Sequence, residues 1–219
     1  MYKIKKENLT ALFRAIAAEQ ELYVPVKTAG KVNFGPWSED AEVDIDTLKS
    51  VKSPKDVFFP QSENLYTCER EGRKLKVEPE ALKEQKFTVF GMRACDVQGV
   101  KVLDQVFLAD PVDSFYAARR EHGTMVAIAC HEPEESCFCK VFGIDCAEPV
   151  ADVAAWFAGE ELYWKALTEK GQTLTEILSG LLTDADTEDE KKLSEEQTAI
   201  RAIVEKLPYS HLSLEDWDG

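Results

Sequence analysis

Residues 86–108 read KFTVFGMRACDVQGVKVLDQVFL. The unbroken apolar run over 87–90 fits a strand buried on both faces, and residues 91–94 fit a turn. Over 96–108, apolar side chains return at helical spacing. Val97, Val100, Leu103 and Phe107 form the buried stripe, Lys101 and Gln105 turn away from it, and Asp104 falls at its margin. Gly99 weakens this helix by about 1 kcal/mol relative to alanine. Further on, SFYAARREHG (114–123) predicts a second helix closed by Gly123, and TMVAIAC (124–130) a second buried strand. Each strand delivers a cysteine just past its end, Cys95 and Cys130. The expected fold is therefore α/β, a mixed sheet with flanking helices, with its site at the carboxyl edge of the strands.

Working outward, ENLTALFRAIAAEQ (7–20) places Leu9, Leu12, Phe13 and Ile16 on one helical face with Asn8 as the expected cap. ELYVPVKT (21–28) predicts a strand, and GKVNFGPWSED (30–40), with Gly30, Gly35 and Pro36, a loop. Between 51 and 82, Pro54 and Pro60 bracket a short apolar DVFF, and a hairpin is expected around Glu71 and Gly72. VAAWFAGEELYWKAL (153–167) divides at Gly159 into a second hairpin. From about Thr173 the chain has helical propensity, and residues 183–207 carry enough charge for a solvated helix or linker. There is no internal repeat.

The composition, 219 residues with 44% hydrophobic and 31% charged, suits one main globular domain with an appendage. A net charge of −15 argues against nucleic acid, because binding phosphates depends on clustered Lys and Arg. It serves solubility and leaves an acidic face for docking. The opening MYKIKKENLTALFRAIAAEQ is basic, but its apolar residues are helically spaced and interrupted by charge, so it does not resemble a secretory leader. No run of about 18 apolar residues exists to insert in a membrane. The expected location is cytoplasmic, where clustered cysteines point to metal binding or redox chemistry rather than structural disulfides.

Four of the six cysteines lie in ACHEPEESCFCKVFGIDC (129–146). Cys137 and Cys139 both reach one centre if the backbone turns between them; in an extended strand they would share a face. Cys130 is close in sequence, and Cys95 completes a set of four from a helix start whose free amides favour a thiolate or an anionic cluster. Three readings stay open on spacing alone: metal or cluster ligation, a thiol redox pair, and inert buried cysteines. The polar neighbours His131, Glu132, Glu134 and Glu135 favour a surface loop. Four thiolates suit structural zinc or an iron-sulfur cluster, with His131 as a substitute ligand or simply an exposed side chain. Cys68 and Cys146 read as structural or exposed. Arg93, Arg119 and Arg120 either pair with Asp110, Asp113 or Glu121, or balance the charge of a cluster or another anionic cofactor.

As a set, KSPKDVFFPQSENL, VFGMRACDVQGVKVLDQVFL, FYAARREHGTMVAIAC and CFCKVFGID closely resemble a family of iron-sulfur electron-transfer subunits. That family includes the beta subunit of sulfhydrogenases (hydrogenase/sulfur reductase) and the A subunit of anaerobic sulfite reductase. The similarity runs from about residue 50 onward. Its patterns R-x-C-D and C-x(6)-C-x-C fall on Cys95, Cys130, Cys137 and Cys139, and the resemblance implies that these hold a [4Fe-4S] cluster, with zinc as the alternative. Cys68 and Cys146 lie outside the pattern. Family members continue into a ferredoxin-like region with C-x-x-C-x-x-C-x-x-x-C-P runs, whereas this sequence finishes at HLSLEDWDG without one. The expected organisation is therefore an α/β domain over 1–182 that carries the cysteine site. Residues 183–219 are then a charged helical segment or linker towards a ferredoxin-like domain that is missing or on another chain. The implied role is a non-catalytic electron-transfer subunit of a cytoplasmic multi-subunit oxidoreductase, between a flavin- and NAD(P)H-binding partner and a catalytic subunit. No Ser/His/Asp set, P-loop or G-x-G-x-x-G motif suggests bond-making chemistry. The competing expectation is a docking domain with a structural zinc or no metal.

Overall fold

A computed structural model describes residues 1–214, so the last five residues of the expected C-terminal segment lie outside it. In chain order the strands are β1 (Tyr2–Lys5), β2 (Glu21–Thr28), β3 (Lys31–Pro36), β4 (Tyr66–Glu71), β5 (Lys74–Pro79), β6 (Phe87–Met92), β7 (Gly123–Ile128), β8 (Val153–Ala158), β9 (Glu161–Ala166) and β10 (Thr183–Asp184). The helices are α1 (Leu9–Glu19), α2 (Lys55–Phe58), α3 (Ala94–Phe107), α4 (Ser114–His122), α5 (Glu169–Ile177) and α6 (Thr187–Val204). Eight strands make one sheet in the order β10-β1-β9-β8-β7-β6-β2-β3. Its centre, β2, β6, β7 and β8, is parallel, and antiparallel strands flank it on both sides. This is the mixed α/β architecture expected.

Successive strand residues point to opposite faces, so each central strand feeds two cores. Phe90, Val126, Ile128 and Val153 meet α1 and α5 through Leu12, Phe13, Ile16 and Leu174. Val89, Met92, Met125 and Ala127 meet α3 and α4 through Val97, Val100 and Tyr116, with Leu103 and Phe107 packed at the margin. The stripe predicted for α3 is the stripe buried. Gly99 has a packing reason: a side chain there would press on the Lys55 aliphatic stem, 2.8 Å from its Cδ.

Several local expectations change. The strand at 87–90 runs on to Met92 through a bulge at Gly91, whose φ of +98° only glycine adopts easily, and α3 begins at Ala94. The stretch 30–40 is not all loop, since β3 pairs along β2. At the sheet's edge its Gly35 and Pro36 disturb no ladder on the outer side. Asn8 makes no side-chain cap; a 3-10 turn, Lys6–Asn8, leads into α1 instead. Gly123 does follow α4, but its φ is −85°, open to any residue. Glycine is required there for space, because a Cβ would sit 2.5 Å from Phe58 Cε1 and 2.6 Å from Phe87 Cζ.

β4 and β5 form a hairpin of their own, turned at Gly72 with φ +61°, as expected from the sequence. Its pairing puts Thr67, Glu69 and Glu71 opposite Glu78, Lys76 and Lys74 on one face, and Tyr66, Cys68 and Arg70 opposite Pro79, Val77 and Leu75 on the other. Both faces are exposed. No helix among the described residues is long and apolar enough to cross a membrane.

The acidic segment after β10 is an ordered helix. Asp186 caps α6, accepting from the Glu188 and Asp189 amides at 2.8 and 3.0 Å. Leu193 then packs on Ala129, Ala154 and Trp156. Asp189 is held by Lys3 Nζ at 2.5 Å and Tyr163 Oη at 2.8 Å. The Lys3 contact first, then the Asp186 amide and Tyr163, pull its carboxyl from 3.8 to about 2. A carboxyl whose folded pKa is depressed stabilises the fold above its unfolded pKa, and loses that contribution as pH falls through the folded one. Urea midpoints should therefore decline from about pH 4 to pH 2 in the native protein, and Asp189→Asn should flatten that limb.

Candidate metal centre

The site is built where β6 and β7 end. Arg93, extended at φ −94° and ψ 161°, carries the chain from β6 into α3, so Cys95 lies in the first turn of a 14-residue helix among amides with no helical partner. Asp96 fixes that turn, accepting from Arg93 N at 3.0 Å and from Ser53 Oγ at 2.9 Å. Burial pushes the Asp96 carboxyl up, against the pull of these two hydrogen bonds. The Arg93 guanidinium folds back and is only 4% exposed. It donates to the carbonyls of Ala129 at 3.2 Å, Ile45 at 2.8 Å and Thr47 at 3.1 Å. One buried cation thus ties the end of β6 to the end of β7 and to the 45–47 loop.

Past β7 the pairing continues: Ala129 N donates to Ala155 O and Cys130 N to Cys146 O, both at 2.9 Å. Residues 131–136 form a largely exposed polar loop, as their composition predicts. The backbone turns after Cys137 into a 3-10 helix, Cys139–Phe142, and Ile144 N donates to Cys139 O at 2.9 Å. Cys137 and Cys139 therefore lie on a turn and not on an extended strand.

The thiols gather as two neighbouring pairs, Cys95 beside Cys139 and Cys130 beside Cys146. Cys139 lies within electrostatic reach of Cys130 and Cys137 as well, and Cys130 within reach of Cys95. Cys137 stands apart from both pairs, its Sγ accepting from Glu134 N at 3.3 Å. Cys95 is the more acidic thiol of its pair. The Cys139 hydrogen bond first, then the amides of Asp96 and of Cys95 itself, pull its thiol down, while crowding of the sulfur opposes them. Cys139 is pushed up by holding the shared proton and by burial. Cys130 is pushed up by its hydrogen bond to Cys146 and by burial, against the nearby Arg93 charge. All six cysteines are free thiols.

One participant, Lys49, escapes a reading of the sequence, and two others, Arg93 and Cys146, make contacts that the sequence does not specify. Lys49 reaches over the loop to Glu134 Oε2 at 2.6 Å and Ser136 Oγ at 2.5 Å. Its ammonium is favoured first by Glu134 and then by Cys137 and Cys95. Arg93 bonds to carbonyls rather than carboxylates. Cys146, 3% exposed, packs with Cys130, Ala147 and Ile200. A signal for it is present: the spacing from Cys139 to Cys146 repeats that from Cys130 to Cys137. His131 instead lies exposed along an acidic cleft with Asp46, Glu132 and Glu135. Cys68 is exposed on the hairpin, remote in topology from the other thiols. Arg119 pairs with Glu63, and Arg120 with Asp104 at 2.6 Å. Ion pairing is thus the role of both, with partners other than those expected. α4 runs directly into the start of β7, which places both arginines at the strand edge opposite Cys130.

The beta subunit of sulfhydrogenase 2 from Pyrococcus furiosus is 28% identical to the chain over 151 residues, covering 69% of this chain and 43% of that subunit. The two chains are distantly homologous. The chain spans less than half the length of that beta subunit. No family profile matches the chain.

Among the described residues, no three thiol, imidazole or carboxylate groups already stand at metal-ligating geometry. The chemistry of the donor set fits a thiolate-held cluster nonetheless. Soft sulfur donors from two turns lie near one sheet edge, with the Lys49 and Arg93 cations beside them that would offset the charge of a thiolate-ligated centre. Cys95, Cys130, Cys137 and Cys139 would hold it, and it would supply one-electron transfer.

Proposed function

We propose that the chain is an electron-transfer subunit, or the amino-terminal part of one, of a cytoplasmic multi-subunit oxidoreductase, with a [4Fe-4S] cluster on Cys95, Cys130, Cys137 and Cys139. Its partners are a flavin- and NAD(P)H-binding subunit and a catalytic subunit. The observation that carries this reading is the meeting of Cys95, from the turn after β6, with Cys139, from the loop after β7. Distant homology to a sulfhydrogenase subunit supports it. The polypeptide's own part is to fix the sulfurs through the Asp96 and Arg93 clamps, to set the local charge and to shield the site with α6, all of which tune a cluster's potential.

The uncovered apolar face of the β4–β5 hairpin favours a second reading, a docking domain with structural zinc or no metal. Anaerobic purification with iron, zinc and acid-labile sulfide analysis separates the two. About four iron and four sulfide per chain are expected from Cys₄ ligation of [4Fe-4S]. Stoichiometric zinc without sulfide would select the second reading.

A further inference from the structure

We propose that the β4–β5 hairpin is a self-recognition element: β5 pairs antiparallel with β5 of a second copy of the chain, with Val77 on the twofold axis. This holds whatever the cysteines bind. Both strands of the hairpin are exposed along their whole length, and neither outer edge is paired among the described residues. A two-stranded hairpin is marginal by itself in water, and an open strand edge is a template for another strand.

The phase of the ladder decides which groups β5 offers. Gly72 and Arg73 form the turn between the partners Glu71 and Lys74, and at the other end Glu80 N donates to Leu65 O at 3.0 Å. Bonded and non-bonded pairs alternate along an antiparallel ladder. Lys74, Lys76 and Glu78 therefore bond to β4, while the main-chain groups of Leu75, Val77 and Pro79 face outwards. A second β5 against that edge exchanges both ladder bonds at Val77 with its own copy, and each Leu75 amide donates to the other strand's Pro79 carbonyl. Pro79 has no N–H, so the Leu75 carbonyl is left to water.

The side chains select this register. KLKVEPE (74–80) is basic before Val77 and acidic after it. Pairing about Val77 sets Lys76 opposite Glu78 and Lys74 opposite Glu80 on one face. On the other face Leu75 meets Pro79 and Val77 meets Val77, which gives apolar neighbours to side chains that are 65% and 54% exposed at Leu75 and Val77. Opposite charges and apolar pairs across a ladder stabilise it, and like charges directly opposite destabilise it. An axis one residue to either side would set Lys76 against Lys76 or Glu78 against Glu78. The edge lysines and proline, which discourage indiscriminate pairing, thus leave this register open. A charge order complementary to itself makes the occupant a second copy. Repulsion between two chains of net charge −15 is also low here, because residues 66–79 hold four basic residues against three acidic ones.

The full chain, kept reduced and followed by analytical ultracentrifugation over a dilution series, should form a dimer. Val77→Pro removes the outward amide at the axis and no bond to β4. Glu78→Lys sets a lysine against Lys76 of the other copy while facing only Thr67 in its own hairpin. Each should weaken dimerisation by about tenfold or more, and so should Lys76→Glu. Mixing the Glu78→Lys and Lys76→Glu chains should restore association as a heterodimer, because every contact between positions 76 and 78 across the axis then joins unlike charges. Mixing would not rescue hairpins that had merely unfolded. A monomeric wild type, even one that binds a different protein, overturns the proposal. So does a dimer indifferent to Val77→Pro, or a mixture that stays monomeric.

Discussion

Serine at position 139 is expected to strip the chain of nearly all its iron while leaving its fold intact. Cys139 is the hub of the thiols, beside Cys95 and within electrostatic reach of Cys130 and Cys137. Replacing its sulfur by oxygen swaps a soft thiolate for a weakly acidic hydroxyl that does not ionise to bind iron. The fold is spared because the side chain is only half-buried and the carbonyl that accepts from Ile144 N is untouched. Iron and labile sulfide per chain, measured anaerobically beside a circular dichroism spectrum, test this. Cys68→Ser on the exposed hairpin is the control and should keep wild-type iron. Equal iron in the two variants would remove Cys139 from the ligand set.

Arg93→Met should be the most damaging single change near the site that alters no cysteine. The methionine keeps much of the aliphatic stem but abandons the carbonyls of Ala129, Ile45 and Thr47. The Ile45 and Thr47 carbonyls lie in a partly exposed loop that water can reach, whereas the Ala129 bond is fully buried. With about 1–3 kcal/mol for each buried polar group left unpaired, the expected loss is about 2–4 kcal/mol in urea unfolding. Arg93→Lys should recover little, because a single ammonium does not reproduce the planar fork that serves three acceptors at once. The variant also removes a cation beside Cys130, so any cluster it retains should be harder to reduce. A variant as stable as the wild type would show that the 45–47 loop does not depend on this clamp.

Legibility followed the range of the interactions. The core strands and α3 were readable because burial on both faces writes an unbroken apolar run, and burial on one face writes the Val97, Val100, Leu103, Phe107 repeat. β3 was hidden by Gly35 and Pro36, residues that mark loops in general yet are harmless on an edge strand. Within the site, Cys95 could be linked to Cys130 by topology, since both follow parallel neighbouring strands. The Arg93 clamp and the reach of Lys49 to Glu134 join residues 36 to 85 positions apart, and no local pattern encodes such contacts. Cys146 had a spacing signal, but its burial depends on Ile200, a helix residue 54 positions later.

That helix, α6, acts as a strut. At 18 residues it is about 27 Å long, anchored near its start on Lys3 and Tyr163 and resting near its far end, through Ile200, on the sulfur pocket. The opening strand and the thiols are thereby braced by a single rigid member. The Met1 carbonyl, which accepts from Ala185 just before the strut begins, joins the opening strand to that brace, so a disturbance at either end of the member is felt at the other.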